Sequence, residues 1–275
     1  MRIDWAGRSA EVREIGKGPA IVLVHGFPLD GAMWSGVARA LSPRFHVFKP
    51  DLPGRGNSDA PAPESVDAHA DFLETVLGQL EGPVGLAGFS FGGYIALALM
   101  KRRPEKVRAL ALVDTRASGD DDAGKAKRND TIAAVKADGV APLVESMPAK
   151  LLSPESLGRA DLLERVRRII SRQRPETISA DLAAMRDRPD STAFLRQVAV
   201  PTLVVVGERD ALTPPADSEA MASAIPEARL VVVPGAGHLA PMERPKAVAE
   251  ALGSFFGAVL APSGDAASRE KPPAG

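Results

Sequence analysis

Ser90 lies in the stretch "GLAGFSFGGYIALALM", Gly85 to Met100, between two phenylalanines and among glycines. A serine hydroxyl is a poor nucleophile at neutral pH and gains strength only when a positioned base takes its proton. The chain offers four histidines for that task, His25, His46, His69 and His238. A histidine base needs a carboxylate to orient it. Asp114 and Asp210 each close an apolar run and are the candidates for that acid. Cysteine is absent, which excludes disulfides, thiolate catalysis and cysteine metal sites together. No two histidines stand at the close spacing of a zinc helix motif, so a metal site is not expected.

These residues must be carried by regular elements. "GPVGLAGF" is short and apolar and follows Gly-Pro, which reads as a buried strand after a turn, while Phe91 to Arg103 reads as an apolar helix. Ser90 therefore occupies a strand-to-helix turn. Similar apolar runs recur at Ala20–Phe27, Phe45–Gly54, Val107–Thr115, Pro201–Asp210 and Ala228–His238, and look like doubly buried parallel strands. Helix candidates lie at Ser65–Leu80, Ala216–Ile225 and Lys246–Leu260. This alternation predicts an α/β fold with a mostly parallel central sheet and helices on both faces. Met1–Trp5 and Glu11–Gly16 are expected to add an antiparallel hairpin at one edge.

The alternation stops between Arg116 and Val198. There Leu162, Val166, Ile169 and Ile170 repeat at helical spacing, with Arg165, Arg168 and Arg172 on another face, and Ser153-Pro154 is a helix start. The expected organisation is a core of residues 1–115 and 199–260, a helical cap insertion over 116–198, and a disordered polar tail over 261–275. Arg165, Arg167, Arg168, Arg172 and Arg174 read as the wet side of an amphipathic helix. Arg116, at the start of the insertion, is the better placed to meet a substrate carboxylate.

Composition narrows the partner. A net charge of -1 leaves no broad basic field for nucleic acid or an anionic membrane. No stretch of about 18 apolar residues is present, and the first residues do not read as a signal peptide. The expectation is a cytoplasmic protein acting on a small molecule.

Ligands of open parallel sheets bind at the carboxyl ends of the strands, where His25-Gly26-Phe27, Asp51, Ser90, Asp114, Asp210 and His238 all fall. Five of these segments, "HGFP", "DLPGRGNSD", "GFSFGG", "VVGERDALTPP" and "VVVPGAGHLAPMERP", occur in order. On them the chain resembles the α/β-hydrolase fold family over roughly Ile3 to Leu260, in the manner of carboxylesterases and enol-lactonases.

The resemblance implies a nucleophile elbow at Gly88-Phe89-Ser90-Phe91-Gly92 and a catalytic triad in the order Ser90, Asp210, His238. At such an elbow a side chain two residues to either side of the serine would collide, which accounts for Gly88 and Gly92. The resemblance also implies an oxyanion hole made by the backbone N–H groups of Phe27 and Phe91. His25 and Asp51 are expected to shape the loops beside it. The function implied is cofactor-free cleavage of a carboxylic ester or lactone through an acyl-enzyme. Perhydrolysis on the same triad, as in cofactor-free haloperoxidases, is an alternative, and a non-catalytic ligand receptor on the same fold is another.

Overall fold

The computed structural model describes residues 1–261. The predicted tail, apart from Ala261, lies outside the described residues. Eight strands form one sheet: β1 (Arg2–Trp5), β2 (Arg8–Ile15), β3 (Ala20–Val24), β4 (His46–Pro50), β5 (Val84–Phe89), β6 (Val107–Val113), β7 (Thr202–Gly207) and β8 (Arg229–Val233). Their order is β1-β2-β4-β3-β5-β6-β7-β8, with β1, β2 and β4 paired antiparallel and every pairing from β4 through β8 parallel. The fold is the α/β-hydrolase fold that the sequence predicts.

The central strands are fully buried because helices cover both faces. β5 and β7 have no residue reaching solvent, which matches their unbroken apolar sequences. β8 departs from expectation. It has a neighbour on one side only, and Val232 is 42% exposed, so its apolar run belongs to an edge strand.

The sheet helices are α1 (Ser35–Leu41), α2 (Val66–Gly78) and α3 (Phe91–Arg102). The stretch between β6 and β7 holds five more: α4 (Asp122–Asp138), α5 (Ala141–Leu151), α6 (Pro154–Leu157), α7 (Ala160–Ser171) and α8 (Pro175–Arg186). The last three are α9 (Pro215–Ala224), α10 (Ala240–Glu243) and α11 (Pro245–Leu260). Ser65 caps α2 by accepting from the Ala68 N–H, and Ser153 caps α6 by accepting from the Ser156 N–H, with Pro154 at the first position. Leu162, Val166, Ile169 and Ile170 form the buried stripe of α7, as their spacing predicts. No helix among the described residues is long and apolar enough to cross a membrane.

A buried polar network fastens α7 and α8 to the loops after β3 and β4. Arg55, fully buried, donates from Nε to Asp181 Oδ2 at 3.0 Å and from Nη2 to the same oxygen. His69 Nε2 lies 3.2 Å from Asp181 Oδ1, in ion-pair range but misaligned for a hydrogen bond. Asp30, equally buried, accepts from Arg172 Nε at 2.8 Å and from Gln173 Nε2 at 3.0 Å. Arg174 donates to the Ser58 carbonyl at 2.9 Å. Arg172 and Arg174 thus tie the helical stretch to the sheet loops while remaining solvent-exposed. Arg167 and Arg168 do read as surface residues, with loose partners in Glu145 and Glu164.

Burial alone would raise the Asp181 carboxyl pKa, but the Arg55 guanidinium and His69 hold it below the usual carboxylate range. An aspartate with a depressed folded pKa contributes stability above the ordinary carboxylate range and loses it as pH falls through the folded value. Asp181→Asn leaves Arg55 buried against a neutral partner. The expected loss is about 3–5 kcal/mol in urea unfolding at neutral pH, shrinking as pH is lowered below about 4. A loss under about 1 kcal/mol would mean that the pair does not hold the helices.

Candidate active site

Ser90 stands between β5 and α3 with φ 50° and ψ -113°, a left-handed backbone that a non-glycine residue seldom adopts. The turn is tight because its neighbours have no side chains. A Cβ on Gly88 would meet the Gly92 carbonyl and come within 2.8 Å of Gly93 Cα, and one on Gly92 would lie 2.5 Å from the Val24 carbonyl oxygen. Removing those Cβ atoms lets the strand reverse into the helix directly beneath the serine. It also lets the loop after β3 press against the elbow.

That loop carries His25, Gly26 and Phe27. His25 Nε2 accepts the Leu52 N–H at 3.0 Å, so the ring joins the loops after β3 and β4. Burial lowers the His25 pKa despite the nearby Asp51 and Asp30 charges, favouring the neutral ring that this acceptor role requires. Asp51 accepts the Gly31 N–H at 2.9 Å and the Asn57 N–H at 3.1 Å, the turn-anchoring role read from sequence. The Phe27 N–H makes no hydrogen bond among the described residues. The Phe91 N–H, at the first position of α3, has no acceptor within the helix.

Asp210, after β7, and His238, after β8, meet Ser90 across the carboxyl end of the sheet. His238 Nδ1 lies 2.8 Å from Asp210 Oδ2, and His238 Nε2 lies 2.9 Å from Ser90 Oγ. A carboxylate only accepts, so Nδ1 carries the ring proton and Nε2 turns its lone pair to the serine hydroxyl. Asp210 also accepts from the N–H groups of Leu212 and Thr213 at 2.8 and 2.9 Å, and from Thr213 Oγ1 at 2.7 Å. Burial would raise its pKa, but His238 and the Thr213 donors hold it below the usual carboxylate range.

Asp114, the other acid candidate, is brought elsewhere. It accepts the Gly207 N–H at 2.7 Å, while burial and the Asp210 charge push its carboxyl well above the usual range. It supports the end of β7 as a group favouring its neutral form.

Two participants have little sequence signal. Thr213 is one of them, and only its place three residues after Asp210, the spacing of a side-chain turn, marks it. Glu243 is the other, buried within an apolar segment. Its Oε1 accepts the Gly237 N–H and its Oε2 the Ser153 N–H, both at 2.9 Å. One carboxylate thereby joins the residue before His238 to the N-cap of α6. Among the described residues, no group of three or more histidines, aspartates or glutamates could hold a metal ion.

Above Ser90 and His238 opens a cavity of about 410 Å³. Phe27, Tyr94, Leu143, Met147, Leu182 and Met185 give it apolar walls, the last four from α5 and α8. Phe194, an aromatic residue of the helical stretch, is not among its lining residues. It lies in a 3₁₀ turn under Lys101.

Because both Glu243 oxygens are occupied by N–H groups, Glu243→Gln would set an amide donor against a backbone donor. The expected cost is about 1–3 kcal/mol in urea unfolding. It should come with a fall in ester turnover as the His238 loop loosens. Unchanged stability would mean that Glu243 is not a strut.

Comparison with known proteins follows the same lines. Residues 19–245 match the family described as alpha/beta hydrolase fold. The pimeloyl-[acyl-carrier protein] methyl ester esterase of Chromobacterium violaceum is 33% identical over 209 residues, covering 74% of this chain and 80% of that protein. A thermophilic esterase from Thermogutta terrifontis superposes with a TM-score of 0.90 at 35% identity, covering 94% of this chain and 99% of that one. The enol-lactonase from Burkholderia xenovorans LB400 shares the fold, with a TM-score of 0.86 at 24% identity over 93% and 99% of the two chains. A family match over most of the chain, on the fold described above, makes this protein a member of the alpha/beta hydrolase family.

Proposed function

We propose that this protein is a serine esterase that cleaves a carboxylic ester through an acyl-enzyme, with Ser90, His238 and Asp210 as its catalytic triad. The observation that carries the reading is the continuous chain from Asp210 Oδ2 through His238 to Ser90 Oγ, at 2.8 and 2.9 Å, on the floor of a cavity. The helical stretch over 116–198 serves as a cap that supplies the opposite wall.

Ser90 Oγ attacks the ester carbonyl carbon as His238 Nε2 takes its proton. Asp210 stabilises the resulting imidazolium and remains ionised. The carbonyl oxygen becomes an oxyanion and is met by the N–H groups of Phe27 and Phe91, each such donor worth about 3 kcal/mol in the transition state. His238 then protonates the departing alkoxide. Water enters, His238 takes one of its protons, and the same steps release the acid and restore Ser90.

A linear ester is favoured over a lactone because two curated relatives at 30% and 33% identity and a solved structure at 35% are named esterases, while the enol-lactonase likeness concerns fold alone. The methyl ester named for the Chromobacterium violaceum relative suggests a small alcohol and a longer acyl chain, which the apolar walls suit.

Ser90→Ala should abolish hydrolysis of p-nitrophenyl esters, and Asp210→Asn should lower kcat by about 10⁴-fold through loss of the correct tautomer. Hydrolysis should fall on acidification as His238 takes up a proton and ceases to be a base. Turnover persisting in Ser90→Ala, or near-normal turnover in Asp210→Asn, would contradict the assignment. Initial rates across pH with the wild type and both variants provide the check.

A further inference from the structure

Besides its apolar walls, the cavity is lined by cations in excess of acids. Asp120 carries three guanidiniums on one carboxylate: Arg116 Nη2 at 2.7 Å, Arg128 Nε at 3.0 Å and the buried Arg188 Nη1 at 2.9 Å. Arg116 and Arg128 both face the cavity, as do Lys127 and Lys150, and neither lysine is paired with an acid among the described residues. Asp121, the other acid lining the cavity, has one oxygen taken by the Gly124 N–H as the cap of α4.

A structural ion pair needs one cation for one carboxylate. Here the single Asp120 charge is shared by three guanidiniums, so the cluster keeps a net positive charge. Arg116 donates from Nη2 to Asp120 and lies beside the Tyr94 side chain, and its buried Nε has no partner among the described residues. Arg188 does not spend its charge on the cavity, since it stacks 4.2 Å from the Tyr94 ring and donates to the Met185 and Ser118 carbonyls. Its role is to hold Asp120, and Asp120 in turn positions Arg116 and Arg128. A preorganised guanidinium with free donors binds a carboxylate far better than a mobile one.

We infer that Arg116, Lys127 and Arg128 form an anion subsite, and that the substrate is an ester bearing a carboxylate at the end remote from the scissile bond. The apolar walls take the carbon chain between the two ends. This goes beyond the proposed function by naming the substrate class, and it rests on the cavity over Ser90 being where that substrate lies. Lys150, which also lines the cavity, adds to the field.

The test measures binding, so that it stands apart from whether Ser90 is the nucleophile. Monomethyl esters of straight-chain diacids of roughly four to eight carbons are titrated into Ser90→Ala by calorimetry. Each is compared with the ester whose free carboxylate is replaced by a primary carboxamide of the same shape. The expected result is a preference for the carboxylate of about tenfold or more at the best length. That preference should shrink in about 0.5 M sodium chloride. It should fall about tenfold when Arg116→Gln is added. Lys127→Met, at an exposed position, should weaken it in the same direction and supplies the test if Arg116→Gln fails to fold. Equal affinity for carboxylate and carboxamide at every length, or a preference untouched by both substitutions, would overturn the subsite. Absence of ester hydrolysis by the wild type with the preference intact would overturn the reaction and leave the subsite standing.

Discussion

Ser90 holds a backbone conformation that costs free energy, of order 1–3 kcal/mol for such a residue, and the structure around it is arranged to enforce that conformation. β5 must arrive fully buried, α3 must leave at once, and the loop after β3 must lie against the turn. Each approach is closer than a side chain would allow, at Gly88, at Gly92, and at Gly93, where a Cβ would come within 2.7 Å of Thr115 Cβ. The Ser90 carbonyl is held by Thr115 Oγ1 at 2.8 Å, and its N–H by the Val113 carbonyl at 2.9 Å. The strain therefore sits on one residue and is supported by the two central strands.

The second requirement is that groups far apart in sequence meet over that serine with sub-ångström consistency. Asp210 and His238 follow adjacent parallel strands, so the register of β7 with β8 sets their spacing. Backbone and side-chain donors from Thr213 then fix the carboxylate, and Phe89 packs against the imidazole at 5.2 Å between ring centroids. The opposite wall is placed by buried charges. Asp30 and Asp181 hold α7 and α8, and Glu243 holds the start of α6 to the histidine loop. Such pairs add little stability over an apolar contact of equal volume, but they admit few alternative dockings. The cavity shape, and with it the choice of ester, depends on that docking.

How much of this is legible in the sequence follows from which interactions are local. The parallel strands are visible as apolar runs because burial on both faces removes any alternation, and the elbow is visible because crowding demands glycine at fixed offsets. Ser90, Asp210 and His238 stand at strand ends, where the fold places functional groups. By contrast, α1, α4 and α5 are not evident, since α4 buries only Val135 and so carries no apolar stripe. The Arg55–Asp181 pair spans 126 residues and has no local signature. Arg172 and Arg174 are solvent-exposed, and their tie to the sheet loops shows only once the loops that accept their hydrogen bonds are in place. The exposure of β8 is likewise a matter of sheet order, which its own five residues do not encode.

The central claim is that Ser90 is activated by His238 and becomes acylated. Labelling with a fluorophosphonate, followed by peptide mass mapping, tests it most directly, because such a reagent reacts only with a serine whose proton is being removed. The account predicts one stoichiometric adduct on Ser90, lost in His238→Ala and accompanied by loss of ester turnover. Hydrolysis that continues with Ser90 unmodified, or an adduct on a different residue that abolishes turnover, would contradict it.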